Sequence, residues 1–267
     1  MNGLDLFAGI GGIAVALEPW VRPRAYCEID RYAQAVLLSR MADGSIPSAP
    51  IWDDVRSLTA DMLPPIDIIY GGFPCTDISV AGRGAGLAGE HSGLFFEVAR
   101  LVSEIRPSFV FLENVPAIRS RGADVVVGRL AELGYDCRWG VLSAFDVGAP
   151  HLRERWWLLA KLSNPSNNRQ RLEVQQEPER WRLTQTYAGS DGEVRPMADA
   201  NLTRLEVGQP RDAGQCSSPF GKSWWLAEPD VDRVVVGLPY RVDRIKCLGN
   251  SVVPACAREA FRRLSGL

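Results

Sequence analysis

Gly3-Leu4-Asp5-Leu6-Phe7-Ala8-Gly9-Ile10-Gly11-Gly12 is the stretch that decides the fold. A mostly apolar run entering a glycine turn reads as a buried strand, and residues 13–18 then start a helix that Pro19 stops. At such a strand–turn–helix junction, residues without side chains let backbone amides approach a ligand closely. The glycines alone do not choose the ligand. With Ala14 in the last place the spacing is an allowed variant of the dinucleotide fingerprint, so NAD stays open on this feature. Glu28, at the end of a second strand Ala25-Tyr26-Cys27-Glu28, suits ribose hydroxyls of either nucleotide.

Working outward, Asp30 is a helix N-cap followed by Ala33, Val36 and Leu37 at helical spacing. Residues 66–70, 109–112 and 156–160 are continuous apolar runs, read as buried parallel strands. Helical patterns over 95–105 and 125–133 separate them. Strands alternating with helices predict an α/β fold with a mostly parallel central sheet. At Ser163-Asn164-Pro165-Ser166-Asn167-Asn168 the composition turns to Gln, Arg, Asn, Pro and Gly with little apolar periodicity. Pattern returns at Ser251-Val252-Val253-Pro254, where Ser251 is read as a cap and Pro254 as an early helical residue. Ala257, Phe261 and Leu264 form the apolar face of that helix. The expected division is therefore 1–162, 163–240 and 241–267.

The 267 residues include 30 basic and 32 acidic side chains, so total charge selects no polyanionic partner and a nucleic-acid surface must be a local patch. With 46% hydrophobic residues the chain can bury one large core and a small accessory unit. Met1-Asn2-Gly3-Leu4-Asp5 has no basic stretch leading into an apolar run, and no segment is apolar over bilayer length; a cytoplasmic monomer without membrane contact is expected. Cys27, Cys75, Cys137, Cys216, Cys247 and Cys256 form no C-x-x-C pair, so no metal site is expected. By default each is a small buried hydrophobe.

Cys75 departs from that default. Gly71-Gly72-Phe73-Pro74-Cys75-Thr76 follows the strand at 66–70, which places this cysteine on a loop at the carboxyl end of a sheet strand, where open α/β folds bind ligands. A thiolate there is a strong nucleophile if its surroundings lower its pKa. Glu113-Asn114-Val115 ends the strand at 109–112, so Glu113 shares a crevice with Cys75 if the two strands are neighbours. Arg153-Glu154-Arg155 precedes the strand at 156–160.

Taken in order, these segments resemble the motif series of the DNA cytosine-5 methyltransferases, over residues 4–160 and 246–261. The glycine turn is similar to that family's cofactor loop, Cys27-Glu28-Ile29-Asp30 to its ribose segment and Asp54-Val55 to its adenine segment. Gly-Gly-Phe-Pro-Cys is similar to its nucleophile loop, and Gly93-Leu94-Phe95-Phe96 to the stretch leading to its acid. Arg-Glu-Arg corresponds to its substrate arginines and Gly249-Asn250-Ser251-Val252-Val253-Pro254 to its last motif. His151, where the family usually has Gln, and Ile29, where an aromatic is common, depart from the pattern; residues 239–244 match only loosely.

The resemblance implies a Rossmann-like S-adenosylmethionine-dependent methyltransferase fold with a small irregular target-recognition domain at 163–240. It implies Cys75 as nucleophile on carbon 6 of a cytosine extruded from double-stranded DNA, Glu113 as acid at N3 and Arg155 as orienting cation, with Arg153 in support. The methyl donor, which leaves as S-adenosylhomocysteine, would be bound by Asp5, Phe7, Ala8, Gly9, Gly11, Gly12, Glu28, Ile29, Asp54, Val55, Pro74, Leu94, Asn250 and Ser251. The implied setting is restriction-modification, with no metal. Alternatives are a cytosine-5 methyltransferase acting on RNA and a catalytically silent DNA-binding relative; intact Cys75, Glu113 and Arg155 argue against the second.

Overall fold

In the computed structural model of the protein, the described residues are 1–74, 93–163 and 240–266. Strand β1 (Asn2–Leu6) leads into helix α1 (Gly12–Leu17), strand β2 (Arg22–Cys27) and helix α2 (Arg31–Ala42). Then come β3 (Ile51–Trp52), β4 (Ile68–Gly72), α3 (Gly93–Ile105), β5 (Phe109–Asn114), α4 (Ala123–Glu132), β6 (Tyr135–Leu142) and β7 (Arg155–Leu162). Helices α5 (Arg241–Asn250) and α6 (Pro254–Ser265) follow. The seven strands form one sheet in the order β3-β2-β1-β4-β5-β7-β6.

The neighbours from β3 to β5 are parallel, while β7 runs antiparallel to both β5 and β6. That corrects the reading of residues 156–160 as a parallel strand. Every residue of that run is at most 4% exposed because β7 lies inside the sheet with both faces covered. Burial, not direction, makes a strand continuously apolar. The reversal has a functional consequence: it brings the start of β7 beside the carboxyl end of β5.

The chain order leaves β1 in opposite directions, to β2 and β3 on one side and to β4 and β5 on the other. A switch point of this kind opens a crevice outside the carboxyl ends of β1 and β4. Below it, Leu4, Leu6, Ile69, Val110, Leu112 and Leu158 pack with Val98, Leu101 and Val102 of α3 and Val126 and Leu130 of α4. Phe111 alternates to the other face, stacked on Trp157 at 5.4 Å and edge-on to Phe261 of α6 at 5.3 Å.

Asp30 caps α2 as expected, its Oδ1 accepting from the N–H of Tyr32 and Ala33 at 2.9 and 3.2 Å. Ser251 does not cap α6. Val253 takes that position with no side-chain cap, and the Ser251 hydroxyl donates back to the Leu248 carbonyl, closing the end of α5 instead. Pro254 opens α6, and Ala257, Phe261 and Leu264 are buried along its inner face. No helix among the described residues is long and apolar enough to cross a membrane.

Candidate active site

At the end of β1 the backbone turns through left-handed conformations at Phe7, Gly9 and Gly11, with φ of 54°, 53° and 81°. Gly11 tolerates this without cost, whereas a side-chain-bearing residue such as Phe7 loses about 1–2 kcal/mol there. The surroundings must hold that turn. The Glu28 carboxylate does so: Oε2 accepts from Gly9 N at 2.7 Å and Oε1 from Asp30 N at 2.8 Å. Ala8 N donates to the Cys27 carbonyl at 3.0 Å, and Arg40 donates to the Ile10 carbonyl at 2.5 Å. Ile29, next to Glu28, is 69% exposed.

Beneath the turn, Asp5 is buried, and its Oδ2 has no hydrogen-bond partner among the described residues. Burial, reinforced by the nearby Glu28 charge, pushes its carboxyl well above the usual range. Of the remaining expected cofactor residues, Ala8 and Val55 are buried in the core, which leaves chiefly their backbone for a ligand. Asp54 stays partly exposed, accepting from Arg56 N at 3.0 Å. Leu94 and Pro74 are half-buried and Asn250 is exposed. The space over Gly12 is filled by Val252, whose Cγ2 would lie 3.1 Å from a Cβ placed there. The segment after α5 therefore docks on the turn after β1.

The second half of the site lies at the ends of β4, β5 and β7. Glu113 pairs in register with Gly72, so the two strands are neighbours as the shared crevice required. Its Oε1 sits 2.8 Å from Arg155 Nε, with the two side chains 12% and 19% exposed. Burial outweighs the pull of Arg155 and Arg153 and lifts the Glu113 carboxyl to about 7. Arg153 turns elsewhere, donating to the carbonyls of Gly249 and Ser251.

Two residues absent from the expected set complete this half. Asn114, 2% exposed, donates from Nδ2 to the Phe73 carbonyl at 3.0 Å and accepts from Val115 N at 2.8 Å. It ties the end of β5 to the residues leading to Cys75. Gly72 is the other: a Cβ there would stand 2.5 Å from Glu113 Oε2. Both stand within quoted segments, but only the pairing of β4 with β5 shows what they touch.

Cys75 and residues 76–92 lie outside the described residues, as do Cys216 and residues 164–239. Burial pushes the thiols of Cys27, Cys137 and Cys256 up to about 12 and raises that of Cys247. None of these is suited to nucleophilic attack at neutral pH. Among the described residues no cluster of His, Cys, Asp and Glu could hold a metal ion.

The family model for C-5 cytosine-specific DNA methylases matches residues 1–207. The chain belongs to that family. The type II methyltransferase M.CviJI of Paramecium bursaria Chlorella virus IL3A is 41% identical to this chain over 159 residues, covering 59% of this chain and 42% of the relative. M.HhaI of Haemophilus parahaemolyticus is 37% identical over 161 residues, covering 58% and 47%. The chain thus spans less than half the length of these two relatives. A solved structure described as a DNA modification methyltransferase encoded within an E. coli prophage superposes with a TM-score of 0.50 at 27% identity, covering 61% of this chain and 47% of that one. The Spodoptera frugiperda DNMT2 structure, at 19% identity and a TM-score of 0.51 over 62% and 51% of the two chains, shares the fold.

Proposed function

We propose that this methylase transfers a methyl group from S-adenosylmethionine to carbon 5 of a cytosine extruded from double-stranded DNA, through a covalent bond between Cys75 and carbon 6. The observation that carries this reading is the Glu113–Arg155 pair, held at 2.8 Å beside β4, the strand that leads to Cys75 and that alone separates β5 from the strand of the Glu28-anchored turn.

The donor fits the crevice. A carboxylate offers about four acceptor positions. Glu28 gives one on each oxygen to the backbone, which leaves acceptor capacity on both for ribose hydroxyls. At Gly9 a Cβ would meet nothing within 4 Å, so the turn presents open space there. Exposed Ile29 offers an apolar surface to a base. Bound S-adenosylmethionine supplies an electrophilic methyl group and leaves as S-adenosylhomocysteine.

The protein's own groups then act on the cytosine. Cys75 adds as thiolate to carbon 6, and the displaced electron pair makes carbon 5 nucleophilic. Glu113, kept protonated near neutrality by its burial, gives its proton to N3 as charge develops. Arg155, fixed by Glu113, faces the exocyclic oxygen and orients the ring. After transfer, a base or water removes the carbon 5 proton, that electron pair expels Cys75, and N3 returns its proton to Glu113. Residues 163–240 act as the target-recognition segment, with Arg169, Arg171, Arg180, Arg182, Arg204 and Arg211 available to phosphates and guanines.

Duplex DNA carrying 5-fluorocytosine at the target, incubated with the donor, should become covalently attached to the protein. Cys75→Ser should abolish both attachment and methylation while still binding the donor. Attachment of RNA and not DNA would move the assignment to RNA, and absence of any adduct at a proven target would overturn the covalent route.

A further inference from the structure

Arg153 and Arg155 stand two residues apart and serve opposite walls of the crevice. Arg155 meets Glu113, whereas Arg153 Nη2 donates to Gly249 O at 2.6 Å and to Ser251 O at 2.7 Å. Those carbonyls flank Asn250. The helix that ends there, α5, has no buried residue, and its Val242, Ile245 and Leu248 are all more than half exposed. Apolar packing therefore does not seat it. Among the described residues, side chains tie it to the rest of the protein through the Lys246–Asp30 pair, whose lysine is 59% exposed, and, at its N-cap, the Tyr240–Tyr32 ring contact at 5.9 Å. A solvated pair of that kind holds weakly. Hydrogen bonds donated by a charged guanidinium are the stronger sort, and the Arg153 bond to Ser251 is part-buried. The Arg153 bonds span 96 and 98 positions of sequence and join the loop before β7 to the corner that docks, through Val252, on Gly12.

We propose that Arg153 is a positioning residue for the donor side of the site: it clamps the backbone on both sides of Asn250 and keeps that corner against the glycine turn, and it does not contact the target base. This rests on the donor reading above. It divides the Arg-Glu-Arg segment between two tasks, with Arg155 serving the base through Glu113 and Arg153 serving the donor through Gly249 and Ser251. Val252 anchors the far side of the corner on Gly12, whereas Leu248, Gly249 and Asn250 are exposed, so losing the clamp should loosen donor binding without dismantling the base side.

The test compares Arg153→Met, which keeps the apolar length and loses the donors, with Arg153→Lys, which keeps a charged donor. Titration calorimetry of the unloaded proteins with S-adenosylmethionine should show Arg153→Met weakened by about tenfold or more, with Arg153→Lys close to wild type and Arg155→Met binding like wild type. KM for the donor should rise in Arg153→Met with little change in kcat at saturation. Without any donor, hydrogen exchange should speed up at residues 249–252 in Arg153→Met while β5 and β7 stay protected. Wild-type affinity in Arg153→Met, equal weakening in Arg153→Lys, or exchange spreading through the sheet would each overturn the inference and leave the proposed function standing. A wild-type protein that binds no S-adenosylmethionine would overturn both.

Discussion

Glu113 is a carboxylic acid whose nearest cation fails to keep it ionised, because the crevice removes water from its charge more effectively than Arg155 replaces it. With a carboxyl at about 7 in place of an ordinary 4.5, the folded protein keeps a proton that the unfolded chain has lost between those values. Stability from this group is therefore full below pH 4.5 and declines as pH rises to about 7, by up to about 3 kcal/mol. Urea unfolding at pH 5 and pH 8 should show this decline in wild type, and Glu113→Gln should lack it. In the proposed mechanism the same proton is the one given to N3. Steady-state kcat/KM should fall above about pH 7 as Glu113 ionises, and Glu113→Gln should lower turnover by at least ~10²-fold. Residue identity was legible here, since Glu113 stands out as an acid at a strand end. Its protonation was not, because that depends on how much water the neighbouring strands exclude.

Between strands, the two glycines before Phe73 have separate reasons to lack a side chain. At Gly71 a Cβ would lie 2.0 Å from the Leu6 carbonyl oxygen, in the backbone of β1, which cannot move aside without breaking the β1–β4 ladder. Gly71→Ala should lower unfolding free energy by several kcal/mol, about 3 or more, in denaturant titrations. At Gly72 the obstacle is the Glu113 carboxylate, 2.5 Å away and held by Arg155. Gly72→Ala should keep most of its stability and lose about 10²-fold in turnover, since a shift near 1 Å in a catalytic group costs that much. The strands at 66–70, 109–112 and 156–160 were visible as apolar runs, but strand β6 was not. Its burial alternates along Tyr135–Leu142, with Asp136 exposed, as befits a sheet edge. Helix α5 escaped for a related reason: with no buried residue it has no core face to leave in the pattern.

Across the whole molecule, the last helix packs with α1 on the sheet face that Phe111 presents. Phe261 is 1% exposed, packing against Phe111 of β5 and against Trp20 at 5.3 Å, and Arg258 donates to the carbonyls of Ala16 and Val15 at the end of α1. Phe261→Ala should cost about 3–5 kcal/mol by denaturant titration, because the cavity would open between sheet and helices where little can collapse into it. Lys246→Ala should leave the denaturant midpoint essentially unchanged, as its pair with Asp30 is solvated. The α/β alternation, the glycine turn and the strand ends that carry Glu28 and Glu113 were determined by the sequence itself, since each depends on local patterning along a few consecutive residues. Only the tertiary structure decided that β7 runs backward, that Gly72 yields its side chain to Glu113, that Asn114 braces Phe73, and that Arg153 holds the corner around Asn250. Those contacts join segments from 41 to 98 positions apart, and no local period records which of the available carbonyls or carboxylates a side chain will meet once the sheet has closed.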